Sequence, residues 1–68
     1  MTEIRINGNI ERIEDDSTLD SYLQILGLQD RKAIAIALNG EVIPREQFSQ
    51  TKISVGDSLE IVRAIGGG

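Results

Sequence analysis

Apolar residues in this chain come in short runs, and the period of each run predicts an element. Ile4 and Ile6 alternate with Glu3 and Arg5, the period of a half-buried strand. Asn7-Gly8 follows, a pair that tolerates positive φ and so predicts a tight hairpin turn. A second strand is expected over about 9–14. Its apolar residues, Ile10 and Ile13, are three apart, so either the strand bulges or one isoleucine faces water; the expectation is an exposed Ile10.

The period then changes. Leu19, Tyr22, Leu23 and Leu26 stand at i, i+3, i+4 and i+7, which predicts a helix of about ten residues with one apolar face. Ser17 or Thr18 is its expected cap, with Asp20 in capping-box position. Gly27 suits the left-handed end, with Leu28 packing back on the last turn. After a polar connection over 29–32, Ala33-Ile34-Ala35-Ile36-Ala37-Leu38 is the cleanest strand in the chain. Its large residues share one face and its alanines the other. The large face is expected to meet the helix, leaving the alanine face flat. Asn39-Gly40 predicts a second hairpin into Glu41-Val42-Ile43, where Pro44 ends the pairing. Residues 44–48 are expected to make a turn or a single helical turn, with Phe48 plugging the core. Ser54-Val55-Gly56-Asp57 predicts another turn. The last strand, from Ser58 to about Ala64, points Leu59 and Ile61 inward and Glu60, Val62 and Ala64 outward.

The predicted order is hairpin, helix, then three strands. A lone helix covering one face of a mixed sheet gives a two-layer α+β domain. With 68 residues, one domain is expected, and a body of this size buries only about 60% of the surface its unfolded chain exposes.

The sequence ends Ile65-Gly66-Gly67-Gly68. Glycine loses the most backbone freedom on ordering, so residues 65–68 are expected to form a thin, flexible tail on a body of 1–64. With Gly68 last, the tail ends in a carboxylate with no side chain beside it. Four extended residues reach at most about 13–14 Å, enough to enter a narrow channel on a partner. A frayed terminus is the plainer alternative.

Composition narrows the chemistry. There is no histidine and no cysteine, so disulfides, thiol catalysis, histidine bases and most metal sites are excluded. Both lysines, Lys32 and Lys52, lie in polar connections. The acidic cluster Glu14-Asp15-Asp16 has no further ligands at calcium-loop spacing and is expected to be a solvated turn. No glycine-rich phosphate loop precedes the helix. The net charge of −4, with no basic stripe, argues against a nucleic-acid partner. The apolar runs are too short to span a membrane, and the start lacks the regions of a signal peptide, so the expected location is the cytoplasm. The reactive group that remains is the terminal carboxylate. Coupled by a partner to a nucleotide phosphate, it would become an acyl adenylate open to attack by sulfur.

The run Ala35-Ile36-Ala37-Leu38-Asn39-Gly40-Glu41-Val42-Ile43-Pro44-Arg45-Glu46-Gln47-Phe48, the later Val55-Gly56-Asp57-Ser58-Leu59-Glu60-Ile61-Val62 and the diglycine end resemble the ThiS family, the bacterial sulfur carriers of thiamine biosynthesis. The resemblance covers essentially the whole chain. It implies a β-grasp, ubiquitin-like fold of about five strands and one main helix. It also implies a carrier and not an enzyme, with no tightly bound cofactor. ATP and Mg would act through a ThiF-like activating adenylyltransferase. A sulfur donor protein would supply the sulfur, and a ThiG-like thiazole synthase would receive it. Carried over, the sulfur-bearing position is Gly68, with Gly66 and Gly67 needed for channel entry. The partner surface expected from strand parity is Ala35, Ala37, Val62 and Ala64, with Ile65 beside it. Arg45 is expected either to stabilise its turn or to touch a partner. The terminal glycine pair is shared with the molybdopterin-synthase small subunit and with ubiquitin-like modifiers. A molybdopterin-type carrier, a modifier joined to lysines and a plain interaction domain with an inert tail therefore stay open.

Overall fold

The computed structural model describes residues 1–28, 30 and 33–63. The expectations for Ala64, Ile65, Gly66, Gly67 and Gly68, and those for Gln29, Arg31 and Lys32, lie outside the described residues. The elements are β1 (Thr2–Ile6), β2 (Asn9–Ile13), α1 (Leu19–Leu26), β3 (Ile34–Leu38), β4 (Glu41–Ile43), a 3₁₀ helix (Arg45–Gln50) and β5 (Ser58–Arg63). The strands form one sheet in the order β2-β1-β5-β3-β4. The first and last strands of the chain run parallel, Ile6 beside Leu59, while every other pairing is antiparallel. The expected mixed sheet with one main helix is present.

Both Asn-Gly pairs make the expected turns, with positive φ at Asn7 and Gly8 (50° and 87°) and at Asn39 and Gly40 (52° and 86°). Two left-handed residues in succession match the twist of the flanking strands. In the first hairpin Ile10 faces Arg5 and Ile13 faces Thr2 in an unbroken one-to-one register. There is no bulge. Two residues three apart must then point to opposite faces: Ile13 is buried in the core, and Ile10 is 56% exposed on the far face.

α1 has eight residues rather than about ten: with Thr18 as its cap it starts at Leu19, and Gly27 ends it as expected, in the left-handed region at φ 74°. Gly27 N–H donates to Gln24 O at 3.0 Å and Leu28 N–H to Leu23 O at 2.9 Å. These two bonds satisfy the last carbonyls and fold Leu28 back onto the core, as expected. The cap corrects the sequence reading. Thr18 is the N-cap, and its partner is Ser21, not Asp20: Thr18 Oγ1 accepts from Ser21 N at 3.1 Å, and Thr18 N donates to Ser21 Oγ at 2.9 Å. Ser17 is committed elsewhere. It is buried, its hydroxyl donates to Glu14 O at 2.7 Å, and its carbonyl accepts from Ile53 N at 2.8 Å. A cap one residue later brings Leu19 and Leu23 into the core, each 1% exposed.

The core lies between α1 and one sheet face. Ile4, Ile36 and Leu59 enter it from β1, β3 and β5, each 1% exposed. Ile34 and Leu38 pack at its edge, so the large face of β3 does meet the helix. Phe48 closes one end at 3% exposed, carried by a 3₁₀ helix that runs further than the expected turn. Burying each of these large apolar side chains is worth about 1.5–3 kcal/mol. Ile53, also buried, belongs to a segment with no element assigned from sequence. Leu19 N–H donates to Thr51 O at 3.0 Å, and Thr18 bridges to Lys52. Residues 51–53 thus run beside the start of the helix and place Ile53 beneath it.

The acidic turn is used locally. Asp15 Oδ1 accepts from Thr2 Oγ1 at 2.6 Å and faces the N-terminal amine at 3.7 Å. Asp16 pairs with Lys52 at 3.3 Å. Among the described residues no His, Cys, Asp or Glu cluster is arranged to hold a metal, and no helix is long and apolar enough to cross a membrane.

The cap correction gives a direct test by chemical denaturation. Thr18→Ala is expected to cost about 1 kcal/mol, while Asp20→Ala should change stability by no more than about 0.5 kcal/mol, a surface effect at the helix start. Equal losses would restore the Ser17/Asp20 box.

Candidate functional site

The helix covers one face of the sheet, and the other face is bare. Pairing fixes what that face carries. Ala35 of β3 lies opposite Val62 of β5, and Ala37 lies between Glu60 of β5 and Val42 of β4. Ala35, Ala37 and Val62 therefore come together as strand parity predicts. Val62 is 60% exposed and Val42 69%. Ala35 is exposed and Ala37 half-buried. The patch is low because two of its members end at Cβ. Ala64 and Ile65, the other expected members, lie outside the described residues.

Val42 was not among the expected surface residues, nor was Glu60. The signal for Val42 was present in the sequence. A two-residue Asn-Gly turn fixes Leu38 opposite Glu41, and counting back one pair puts Val42 opposite Ala37. Glu60 lies there with Val62, on the outward face that strand parity predicts, and the β3–β5 pairing sets it beside Ala37. It sets a carboxylate in the middle of the face, between the Ala35/Val62 pair and the charged residues of the first hairpin. There Arg12 Nε stands 3.8 Å from Glu3 Oε1.

β5 leads from the core to the tail, and both neighbours hold it. β3 pairs with it over its whole length, out to Ile34 opposite Arg63. β1 pairs with its first half, Arg5 beside Ser58 and Ile6 beside Leu59. The asparagines of both turns also reach it. Asn39 Oδ1 accepts from Ser58 N at 2.9 Å, and its Nδ2 donates to Asp57 Oδ1 at 3.0 Å. Asn7 bonds to Ile61. The strand is thereby fixed up to the last residue described before the glycines.

On the helix side an open groove of about 400 Å³ is lined by Ile6, Glu11, Tyr22, Leu28, Ile61 and Arg63, among others. It forms because α1 stops at Gly27 before the sheet does. Its polar lining is Asn7, Glu11, Arg63 and the phenol of Tyr22. Burial first, and the nearby Glu11 carboxylate second, push the Tyr22 pKa above its ordinary value, so the phenol stays a neutral hydrogen-bonding group. Arg45 lies over the Phe48 ring at 6.0 Å, a turn-stabilising contact.

The comparisons with known proteins can be set against this geometry. The model of the ThiS family matches residues 4–68. The chain belongs to the ThiS family. The sulfur-carrier reading that the resemblance implied rests on this membership as well. A solved structure of the thiamine biosynthesis protein ThiS from Geobacter metallireducens superposes with a TM-score of 0.83 at 28% identity, covering 98% of this chain and 100% of that one. The crystal structure of SAMP1 from Haloferax volcanii covers 98% of each chain with a TM-score of 0.59 at 18% identity. That likeness shows the fold alone, a β-grasp. A thiazole synthase of Paramagnetospirillum magneticum is 38% identical over 63 residues, 93% of this chain. The chain spans 19% of that relative's length.

The Tyr22 environment predicts a titration. In the folded state the phenol should ionise above 10, so the stability it lends is complete below that pH and is lost as the pH rises through the folded value. Glu11→Gln should lower the folded value without returning it to normal, because burial is the larger cause. Ultraviolet absorbance of the phenolate reads both, and an unchanged value in Glu11→Gln would remove Glu11 from the account.

Proposed function

We propose that the chain is the sulfur carrier of thiazole formation in thiamine biosynthesis, and that the sulfur rides on the carboxyl carbon of Gly68. The observation that carries this reading is the ThiS family match, which runs through the last glycine. It is supported by a body without histidine or cysteine, which leaves the chain end as the group to be activated.

The cycle follows from the chemistry of a carboxylate. A carboxylate resists nucleophiles, so a ThiF-like partner first couples it to ATP. An oxygen of Gly68 bonds to the α-phosphorus and pyrophosphate leaves. The resulting acyl adenylate has AMP as a good leaving group. Sulfide attacks the acyl carbon, AMP departs and a thiocarboxylate remains. If a donor protein supplies a persulfide instead, an acyl disulfide forms and a thiol must reduce it. ATP and Mg act in the partner's site, and this chain contributes position. Gly66 and Gly67 present no Cβ to a channel wall. Ala35, Ala37, Val62, Ala64 and Ile65 are the surface proposed for partner contact, with Val42 added by its place opposite Ala37.

The acceptor proposed is a thiazole synthase of the ThiG type. In the Paramagnetospirillum magneticum relative, a stretch similar to this chain lies within a protein named thiazole synthase, which supports this choice of acceptor.

Intact-mass measurement tests the carrier reading. After incubation with the cognate activating enzyme, ATP and sulfide, the mass should rise by the difference between one sulfur and one oxygen atom. Deleting Gly68 should abolish the change and leave thermal unfolding as it was. An unchanged mass with an active enzyme, or loading that survives the deletion, would contradict it.

A further inference from the structure

We propose that Asn7 is a positioning residue for the reaction at the chain end, through its hold on the second half of β5; this rests on the carrier reading above. β1 lends its backbone to β5 only as far as Asn7, whose N–H donates to Leu59 O at 2.9 Å. Gly8, at φ 87°, then turns the chain back into β2. Ile61 stands two residues further along β5, and its N–H and C=O face the space that β1 has left. Asn7 fills it with a side chain. Its Oδ1 accepts from Ile61 N at 2.9 Å, and its Nδ2 donates to Ile61 O at 3.3 Å. One carboxamide thus stands in for one more residue of a neighbouring strand.

The turn does not require this. Glycine and aspartate also tolerate the left-handed conformation that Asn7 adopts at φ 50°. Of these three, only the carboxamide offers an acceptor and a donor together. Aspartate would set a negative oxygen against the Ile61 carbonyl, and glycine would offer nothing.

Asn39 provides the internal control. It has the same glycine neighbour, nearly the same φ of 52° and a side chain on the same strand. It bonds at the beginning of β5, to Ser58 and Asp57, far along the chain from the tail. Gly68 lies five positions beyond Arg63. A partner that grips the body and draws Gly68 into its own site depends on where residues 61–63 point. Loosening that stretch falls on assembly of the productive complex and not on the partner's chemistry, so it belongs in KM.

The test compares the full chain with Asn7→Gly and Asn39→Gly, well below their unfolding temperatures. Adenylation by the cognate activating enzyme is followed as ATP–pyrophosphate exchange at varied carrier concentration, and hydrogen exchange is read at the Ile61 amide. Asn7→Gly should raise Ile61 exchange about tenfold and raise KM about tenfold with kcat within about twofold. Asn39→Gly should leave both Ile61 exchange and KM within about twofold of the full chain, whatever stability it loses. The inference is overturned by an unchanged KM in Asn7→Gly, by an equal rise in Asn39→Gly, or by unchanged exchange at Ile61. Failure of the unsubstituted chain to be adenylated would instead overturn the carrier reading from which the inference starts, which separates the two.

Discussion

The structure depends on the last strand being the middle one. β5 enters the sheet between β1 and β3, so its first residues are paired on both sides and the rest of it, to Arg63, along β3. Leu59, 1% exposed, ties it to the helix from within. The parallel pairing of β1 with β5 closes the fold across almost the whole sequence. Such a non-local pairing costs loop-closure entropy before it is rewarded, and the two turn asparagines reinforce it by bonding to the same strand. β5, the last strand described, is thus held by backbone pairing and by the side chains of both turns.

A single helix makes the two faces of the sheet unequal. On one side Leu19 and Leu23 seal Ile4, Ile36 and Leu59 from water. On the other, alanines and valines lie bare with Glu60 among them. A body that needs no pocket of its own to do chemistry can leave a whole face to partners, and a low alanine surface lets another backbone approach closely. The chain has no histidine and no cysteine, and in the carrier reading proposed above position is what its folded part offers.

Much of this was legible in the sequence because it is local. The two Asn-Gly turns, the alternation of isoleucine and alanine in β3, the apolar stripe of α1, the glycine that ends it and the burial of Phe48 each follow from neighbours within a few residues. Parity left a bulge or one exposed isoleucine for the second strand, and the unbroken register decides for the expected exposed Ile10. What could not be read was non-local. Thr18 took the cap because Ser17 was already bonded to Glu14 and Ile53. Ile53 lies in a stretch without regular structure, and only its docking beside the helix start buries it. Glu60 was expected to point outward, and only the β3–β5 pairing shows that it stands beside Ala37. The resemblance to the ThiS family was readable from the segments around Asn39-Gly40 and Gly56-Asp57, and the two turn asparagines turn out to hold the strand that links them to the tail.

The central claim is that partners grip the folded body while the chemistry happens at its end. The most direct measurement uses a body ending at Arg63, which has nothing to load, as a competitor in adenylation of the full chain by the cognate activating enzyme. The account predicts competitive inhibition, with an inhibition constant within about tenfold of the KM of the full chain, since most of the binding energy should lie in the body. No inhibition by a folded body at concentrations far above that KM would show that the partner reads the tail alone.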